Sequence, residues 1–425
     1  MKYKRVFLTA LLTLGFCTFA QAGGFLIYEH GARATALGGT LAARGGDLSV
    51  MVYNPAGLAW LKGTQLSLGT TLIIPRATFA GSNPFPGFGI TEEYKRNVFF
   101  PSNLYISHQF SENLVAGLAV FNPFGLRVEW QDADDFSGRH LAYNTTFRAF
   151  YFNPTVAYKL SPDLSIAVGL QAVSAYLELN RYNATVIGAN TFDTAKIKLS
   201  GNNSLQFGFN AGMLFQITDK MNLGLAYRSQ VDIDVDDGAI EFNQLSVNSA
   251  IDPLVAASLP KNQPVRTSTA FPAVFSAGMS YQATPKLNFA FDAVFVDWSS
   301  FDFLFIEYPE TPALNKERPE NWKDAWSYRL GAEYQLNDRL SLRAGYVRDL
   351  TPQPQSSISP LLSDADRHDF SFGFGYKLND SLTLDLANML VLFDERNTGG
   401  QSNDNFNGEY RQSAYLLGLN LTYSF

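Results

Sequence analysis

Apolar and polar residues alternate along most of this chain, and six short polar turns interrupt the alternation. A period of two residues is typical of β-strands with one apolar face. About 40 to 65 residues separate successive turns, which is enough for a strand, a longer loop and a returning strand. The turns are Ser111-Glu112-Asn113, Ser161-Pro162-Asp163, Thr218-Asp219-Lys220, Ala283-Thr284-Pro285-Lys286, Asn337-Asp338-Arg339 and Asn379-Asp380-Ser381.

Six turns account for twelve strands, and one strand at each end of the pattern makes fourteen. Short turns at one rim and long loops at the other are typical of an outer-membrane β-barrel. Beyond residue 22 the sequence has no run of about 18 uncharged apolar residues, so a spanning helix is excluded on length. The pattern therefore predicts an all-β, 14-stranded antiparallel transmembrane barrel in the outer membrane of a Gram-negative bacterium.

The last strand shows the alternation residue by residue. One of its faces carries Ser413, Tyr415, Leu417, Leu419, Leu421, Tyr423 and Phe425. We expect this face to contact lipid, because in a soluble sheet it would stay uncovered in water. A terminal Phe preceded by apolar residues at every second position resembles the C-terminal signal of outer-membrane proteins. Phe425 is therefore predicted to bind the outer-membrane assembly machinery.

The N-terminus has the features of a secretory signal peptide. Lys2, Lys4 and Arg5 precede an apolar run that ends at the small-residue cleavage site Ala20-Gln21-Ala22. Cleavage there removes the only cysteine, Cys17, so no thiol chemistry is available to the mature chain. The full chain is acidic, with a formal charge of −7, and its basic residues are dispersed. This distribution argues against nucleic-acid binding, which requires a basic patch.

Residues 23–62 lack the strand alternation and are rich in Gly and Ala. We expect short helices near 32–37 and 38–43, but a segment of this length cannot bury a core of its own. A 14-stranded lumen is too wide to be filled by its own wall. The chain is therefore predicted to comprise a signal peptide (1–22), a hatch inside the lumen (23–62) and the barrel (63–425). Inward positions of the barrel carry glycines that leave room for the hatch: Gly169, Gly224, Gly278, Gly331, Gly345, Gly373 and Gly375.

Several separated motifs together resemble the FadL family of outer-membrane transporters for hydrophobic compounds. They are Asn54-Pro55-Ala56, Phe121-Asn122-Pro123-Phe124-Gly125-Leu126, Asn153-Pro154-Thr155-Val156-Ala157-Tyr158, Leu342-Arg343-Ala344-Gly345-Tyr346, and Asp349 with Thr351-Pro352. The resemblance covers essentially the whole mature chain. It implies a 14-stranded barrel closed by an N-terminal hatch, to which we assign Gly23, Phe25, Asn54, Pro55 and Ala56.

The third strand is interrupted. It starts at Leu114 and meets Asn122-Pro123-Phe124-Gly125 after about eight residues, fewer than the roughly 9 to 11 that cross a bilayer. Pro123 has no N–H for the ladder, and unpaired backbone groups cannot face hydrocarbon, so we expect the hatch to line the gap. A bulge or the start of an outer loop is the alternative. In the family the corresponding strand opens a side window, which implies a lateral gate at Asn122, Pro123, Phe124 and Gly125.

Four arginines are candidate ligand-binding residues. Alternation places Arg228, Arg329 and Arg343 on lumen faces, where Asp292, Glu333 and Asp385 also lie, whereas the facing of Arg148 is ambiguous. In fatty acid transporters of this family, basic residues meet the ligand carboxylate inside the barrel. The alternative for each arginine is an internal ion pair or a contact with the hatch.

Two outer loops differ in character. The loop between strands 7 and 8, roughly 234–265, contains a predicted short helix at 251–259, whereas the loop between strands 5 and 6, roughly 181–196, is short. In the family these two loops build the external groove that first binds ligand. A reduced groove weakens the case for a long acyl chain.

The resemblance implies passive import of a hydrophobic molecule, with a long-chain fatty acid as the leading substrate and an aromatic or alkane hydrocarbon as the alternative. No phosphate cradle, energy-coupling motif, cofactor site or metal site is evident. A lipid hydrolase is a minor alternative, because none of the four histidines lies in a recognisable nucleophile motif. A receptor without transport is another. We expect a monomer in contact with outer-membrane lipid and lipopolysaccharide.

Overall fold

The computed structural model describes residues 23–187 and 189–425, so the predicted signal peptide lies outside the described residues. Fourteen antiparallel strands form one closed barrel, because the first strand pairs with the last over its whole length. The register places Gln65 opposite Ser424 and Gly81 opposite Gly408. The predicted fold class is confirmed. In the described part of the chain, no helix is both long enough and apolar enough to cross a membrane.

Four barrel strands are interrupted and ten are continuous. The barrel strands are β1 (Thr64–Gly81), β2 (Ser102–Gln109), β3 (Leu114–Phe121 and Gly125–Glu129), β4 (Asn144–Ser161), β5 (Leu164–Ile187), β6 (Asn190–Asn202 and Gln206–Thr218), β7 (Met221–Arg228 and Val231–Gln244), β8 (Gln263–Phe271 and Val274–Thr284), β9 (Leu287–Val296), β10 (Ala325–Gln335), β11 (Leu340–Asp349), β12 (Arg367–Lys377), β13 (Leu382–Phe393) and β14 (Gly408–Ser424). Short outer segments add Thr91–Glu93, Phe303–Glu307, Lys316–Pro319 and Arg396–Asn397.

Side chains alternate between the two faces of the barrel wall, as the sequence predicts. On β14, Tyr415 and Leu419 are each 44% exposed, whereas the intervening Leu416 is 2% exposed. Outward aromatic rings lie in two zones, one near the short turns and one toward the outer strand ends. The first includes Phe110, Tyr281, Tyr334 and Tyr376, and the second includes Phe150, Phe152, Phe207, Phe275 and Phe370. Such girdles mark the two membrane interfaces.

The N-terminal segment runs inside the barrel. It contains α1 (Ala32–Ala36), α2 (Val50–Tyr53) and a 3₁₀ helix at Pro55–Trp60. The predicted second helix at 38–43 is wrong, because this stretch forms turns. Gly38 and Gly39 have φ angles of 63° and 75°, a left-handed conformation that cannot continue a right-handed helix.

The hatch packs where the wall has glycines. A Cβ atom at Gly224 would overlap the carbonyl of Ala42, and one at Gly331 would overlap the Thr40 hydroxyl. The remaining predicted inward glycines also face the interior, where they contact either the hatch or polar wall side chains. The missing side chains thus give the hatch backbone room to approach the wall closely.

Two predicted loop boundaries are corrected. The segment 181–196 is a β-hairpin in which β5 and β6 extend beyond the barrel, with Thr185 opposite Phe192. The 234–265 loop is also shorter than expected, because β7 continues to residue 244. The predicted helix in that loop is present as α3 (Asp252–Ser258). The outer parts of these strands contain polar residues such as Thr and Asp. They therefore lack the apolar alternation that marks the strand boundaries elsewhere in the sequence.

Candidate functional site

The interruption in β3 separates it from β2. The two strands pair from Gln109↔Val115 to Leu104↔Val120. The segments that continue them outward meet again at the isolated bridge Tyr94↔Trp130, near the outer rim. Between these points, no backbone hydrogen bond joins 96–103 to 121–128, both of which are fully described. The barrel wall therefore has a gap at membrane level.

The hatch and β4 both form hydrogen bonds with the interruption. Ile27 donates its backbone N–H to the Pro123 carbonyl at 2.8 Å, and Gly125 donates to the Phe25 carbonyl at 3.1 Å. On the other side, the Asn122 side-chain amide donates to the Ala149 carbonyl at 2.9 Å. These bonds give several backbone groups of the interruption protein partners, as is needed where irregular backbone lies at membrane depth.

An aromatic cluster lines the inner side of the interruption. Phe124 is fully buried and stacks on Phe271 with ring centroids 4.3 Å apart. The hatch residue Phe25 contacts Phe124 edge-on, and its ring centroid lies 4.7 Å from that of Trp298. Aromatic pairs of this geometry contribute about 0.5 to 1.5 kcal/mol each beyond the area that they bury. The N-terminal end of the hatch is therefore fixed against the interrupted strand.

A cavity of about 1040 Å³ passes through the gap. At its inner end the lining includes Phe25 and Glu29 of the hatch. At its outer end the lining includes Leu68, Phe100 and Phe150, which are 55%, 63% and 45% exposed on the outer face of the wall. The cavity thus connects the interior of the barrel with the surface that lipid covers.

Arg228 and Arg329 are buried beside the hatch, and Arg329 lies opposite Asp292 in the register of β9 and β10. Arg228 donates to the Val52 carbonyl at 2.7 Å, and its guanidinium carbon lies 5.3 Å from the Phe121 ring centroid. Arg329 lies 4.3 Å from the centroid of the Tyr28 ring. Neither forms an ion pair with any described residue. Both line a small cavity of about 50 Å³ between hatch and wall.

Arg343 has a different environment. Its Nε donates to Glu333 at 2.9 Å, and its guanidinium also pairs with Asp385. Glu333 in turn binds two hatch residues, Arg33 at 2.9 Å and Arg44 at 3.1 Å. This network joins the wall to the hatch, and it supports the alternative that Arg343 is an internal ion-pair residue.

Arg148 lies on the outer face of the wall, which resolves its ambiguous facing. It is exposed, it pairs in register with Gly125 and Tyr176, and its guanidinium carbon lies 4.9 Å from the Tyr176 ring centroid. Its side chain lines the outer end of the large cavity. It is therefore not a lumen residue.

The chain matches the family model described as "Outer membrane protein transport protein (OMPP1/FadL/TodX)" over residues 13–425. The chain belongs to this family. It is 27% identical to Outer membrane protein P1 of Haemophilus influenzae over 440 residues, covering 90% of this chain and 91% of that protein. It is 24% identical to the Long-chain fatty acid transport protein of Salmonella typhi, covering 96% and 95% of the two chains.

Solved structures of the family share the fold. A Pseudomonas aeruginosa FadL homologue has a TM-score of 0.82 at 18% identity, covering 95% of this chain and 100% of that one. The Pseudomonas putida toluene transporter TodX has a TM-score of 0.72 at 15% identity, covering 96% and 99%. The predicted family resemblance and outer-membrane location are confirmed, and the chain is an outer-membrane transporter of hydrophobic compounds.

Two features of this FadL-family site were not predicted. Asn54 of the Asn-Pro-Ala motif donates to the Met213 carbonyl at 3.0 Å and accepts from the Ala56 N–H at 3.1 Å, so it joins the hatch to β6. In the interior, Tyr28 donates to Asp369, and Arg367 pairs with Asp349 at 2.7 Å. Alternation along β12 would have placed Arg367 and Asp369 on the lumen face, because they are two residues apart.

Proposed function

We propose that this protein imports long-chain fatty acids by passive diffusion, with lateral exit through the gap in β3. The ligand first contacts the outer loops, enters the lumen above the hatch (23–62), and leaves sideways into the bilayer past Asn122, Pro123, Phe124 and Gly125. No enzymatic step is involved. The cavity of about 1040 Å³ that extends from Phe25 to Phe150 is the observation that carries this proposal.

Physical chemistry favours lateral exit over exit into the periplasm. Removing apolar surface from water is worth about 25 cal/mol per Å², so an acyl chain that moves from an apolar cavity into lipid never exposes that surface to water. The outer end of the cavity is lined by Leu68, Phe100 and Phe150, which already face lipid. A route of this kind needs no energy source.

Arg228 and Arg329 support an acid as the ligand. Arg228 is a buried guanidinium whose hydrogen-bond partner is a carbonyl and not an anion, which is costly, and a ligand carboxylate would supply the missing charge. The cavity of about 50 Å³ beside them has room for a carboxylate but not for an acyl chain. The chain of a fatty acid would therefore extend from this point into the larger cavity after a local shift of the hatch. The Salmonella typhi relative is named a long-chain fatty acid transport protein.

Uptake of an aromatic or alkane hydrocarbon is the second candidate function. Phe25, Phe124, Phe271 and Trp298 form an aromatic cluster. Such a surface suits a ligand that has no polar group. The Pseudomonas putida structure of the same fold is that of a toluene transporter. The two candidates differ in whether the lumen arginines contribute to binding.

The lateral route is tested by repairing the wall. Asn122→Thr, Pro123→Val and Gly125→Thr together supply ladder donors and strand-forming side chains at the interruption. The new side chain at 125 would lie 2.9 Å from the flexible end of Ile27, which can move aside. We expect uptake of labelled oleate into cells to fall at least about tenfold, a barrier increase of about 1.4 kcal/mol. Binding to the purified protein should change little.

Pro272→Val is the matched control. It also replaces a proline in a strand interruption, but there β8 pairs with β7 on both sides, at Phe271 and Val274. The Ala273 carbonyl also accepts a hydrogen bond of 2.9 Å from the backbone N–H of Asp297, which directly follows β9. We expect this variant to import at the wild-type rate. A repaired barrel that folds, binds oleate and still imports at the wild-type rate would exclude lateral exit through β3.

A further inference from the structure

Basic side chains surround the outer mouth of the gap on the lipid-facing side of the wall. Arg76 on β1, Arg127 on β3 and Arg148 on β4 all line the outer end of the large cavity. Lys95 and Arg96 are exposed nearby, on the segment that leads to β2. We call Arg76, Arg127 and Arg148 the mouth arginines.

The mouth arginines carry little compensating negative charge. Glu129 binds Arg127 at 3.0 Å and Lys95 at 2.6 Å. Among the described residues, it is the one carboxylate within ion-pair distance of this group, and Arg76, Arg96 and Arg148 form no ion pair. By contrast, the outward positions Asp232 and Asp236 on β7 are acidic and exposed. Glu178 also lines this cavity, but it pairs with Lys198 at 3.5 Å, so the mouth keeps an excess of positive charge among the described residues.

The mouth arginines lie at the outer of the two membrane–water interfaces. Arg148 lies two residues beyond Phe150 on the same face of β4, which is about 7 Å further along the strand. Phe150 belongs to the outer zone of lipid-facing aromatic rings, so the guanidinium groups lie at headgroup depth. Below them the cavity is lined by Leu68, Phe100 and Phe150. An anionic group above an acyl chain fits this arrangement.

From this geometry we infer that the mouth arginines bind the phosphate groups of lipid A, the phosphorylated glycolipid of the outer leaflet, with an acyl chain resting against the apolar rim of the gap. Phosphate fits better than a carboxylate, because a dianion with three terminal oxygens can bind several guanidinium groups together. A monoanionic fatty acid held by three arginines would also be slow to leave an exit. The bound lipid covers the gap from outside while the hatch covers it from inside.

The test measures lipid binding to the full-length mature protein in phosphatidylcholine nanodiscs, by native mass spectrometry with EDTA present to prevent bridging by divalent cations. The test variant combines Arg76→Gln, Arg127→Gln and Arg148→Gln. The control variant combines Lys261→Gln, Arg266→Gln and Lys323→Gln, which removes three exposed charges elsewhere on the protein. The probes are bisphosphorylated lipid A, dephosphorylated lipid A, oleate and inorganic phosphate.

We expect the test variant to bind lipid A about a hundredfold more weakly than wild type, because each basic residue near a charged membrane surface contributes about fivefold. The control variant should bind within about twofold of wild type, and dephosphorylated lipid A should bind as weakly as the test variant binds lipid A. If the triple substitution impairs folding, Arg148→Gln alone should give about a fivefold loss.

Four results would overturn the inference. The first is equal binding of lipid A by the wild type and a folded test variant, and the second is equal binding of phosphorylated and dephosphorylated lipid A. Another is displacement of lipid A by inorganic phosphate at equal concentration, which would indicate a site for free anions. The last is arginine-dependent binding of oleate that is tighter than that of lipid A, which would assign the mouth to the transported ligand. None of these readouts depends on uptake, so the inference and the proposed function can fail separately.

Discussion

The backbone N–H of Ile27 in the hatch donates a hydrogen bond of 2.8 Å to the carbonyl of Pro123 in the interrupted strand. Gly125 also donates a backbone hydrogen bond to Phe25. The hatch therefore pairs briefly with β3, in addition to the neighbouring strands β2 and β4. Because the same residues both close the ladder and line the cavity, a movement of 25–27 would change the gap directly. The hatch and the lateral opening are thus mechanically connected.

Deletion of 23–60 is expected to leave an assembled barrel, because the wall closes on itself through β1 and β14 without the hatch. The lumen should then admit small polar solutes, and conductance in planar bilayers should rise several-fold. Heated and unheated samples of the deletion variant are compared on a gel. Slower migration of the heated sample verifies that the unheated barrel is folded. Conductance equal to that of wild type would mean that this segment does not block the lumen.

Gly224→Val should displace the hatch from the wall, because the new Cβ would overlap the backbone carbonyl of Ala42. Neither atom can move aside by a side-chain rotation, so the hatch backbone itself must shift. We expect amide hydrogen exchange in 32–44 to become at least about tenfold faster, which corresponds to a loss of about 1.4 kcal/mol of local stability. Ala277→Val is the control, since it adds similar volume on the lipid-facing side of the neighbouring strand β8. Unchanged exchange in the Gly224 variant would contradict the close packing.

The sequence predicts the wall better than it predicts the hatch, and the reason is physical. A strand in a barrel has one face in lipid and one toward the lumen, so apolar residues recur at every second position within the strand itself. The path of the hatch depends instead on contacts between residues that are far apart in the sequence, such as Gly224 with Ala42. The inward glycines indicated that space existed, but they did not indicate which residues would occupy it.

The same limit applies to the candidate arginines. Alternation placed Arg228, Arg329 and Arg343 inside, and all three are buried there. Whether an arginine has a carboxylate partner depends on the register between hatch and wall, which brings Arg33 and Arg44 to Glu333 beside Arg343. No comparable carboxylate lies against Arg228 among the described residues. A single sequence does not carry that long-range information.

Arg343→Met is expected to destabilise the protein by about 3 kcal/mol, because removing one partner leaves Asp385 buried without its counter-ion. Denaturant unfolding in detergent or lipid measures the change. Arg266→Met is the matched control, since its pair with Glu307 is exposed and 4.0 Å long, and exposed pairs contribute less than about 1 kcal/mol. Similar destabilisation by both variants would contradict a structural role specific to the network around Glu333.

Arg228→Met and Arg329→Met together test the choice between an acid and a hydrocarbon. If a ligand carboxylate binds these guanidinium groups, the wild type should bind oleic acid more tightly than oleyl alcohol. A hydrogen bond to a charged group is worth about 1.5 to 3 kcal/mol, so we expect a preference of about 10- to 100-fold, and its loss in the double variant. Isothermal titration with both ligands measures the ratio, and Arg343→Met, where it folds, should keep the wild-type preference. A wild type that binds both ligands equally, together with tight binding of toluene or an alkane, would instead favour the hydrocarbon function. Methionine is chosen because it retains most of the side-chain volume, so a loss restricted to the acid reports the charge and not a new cavity.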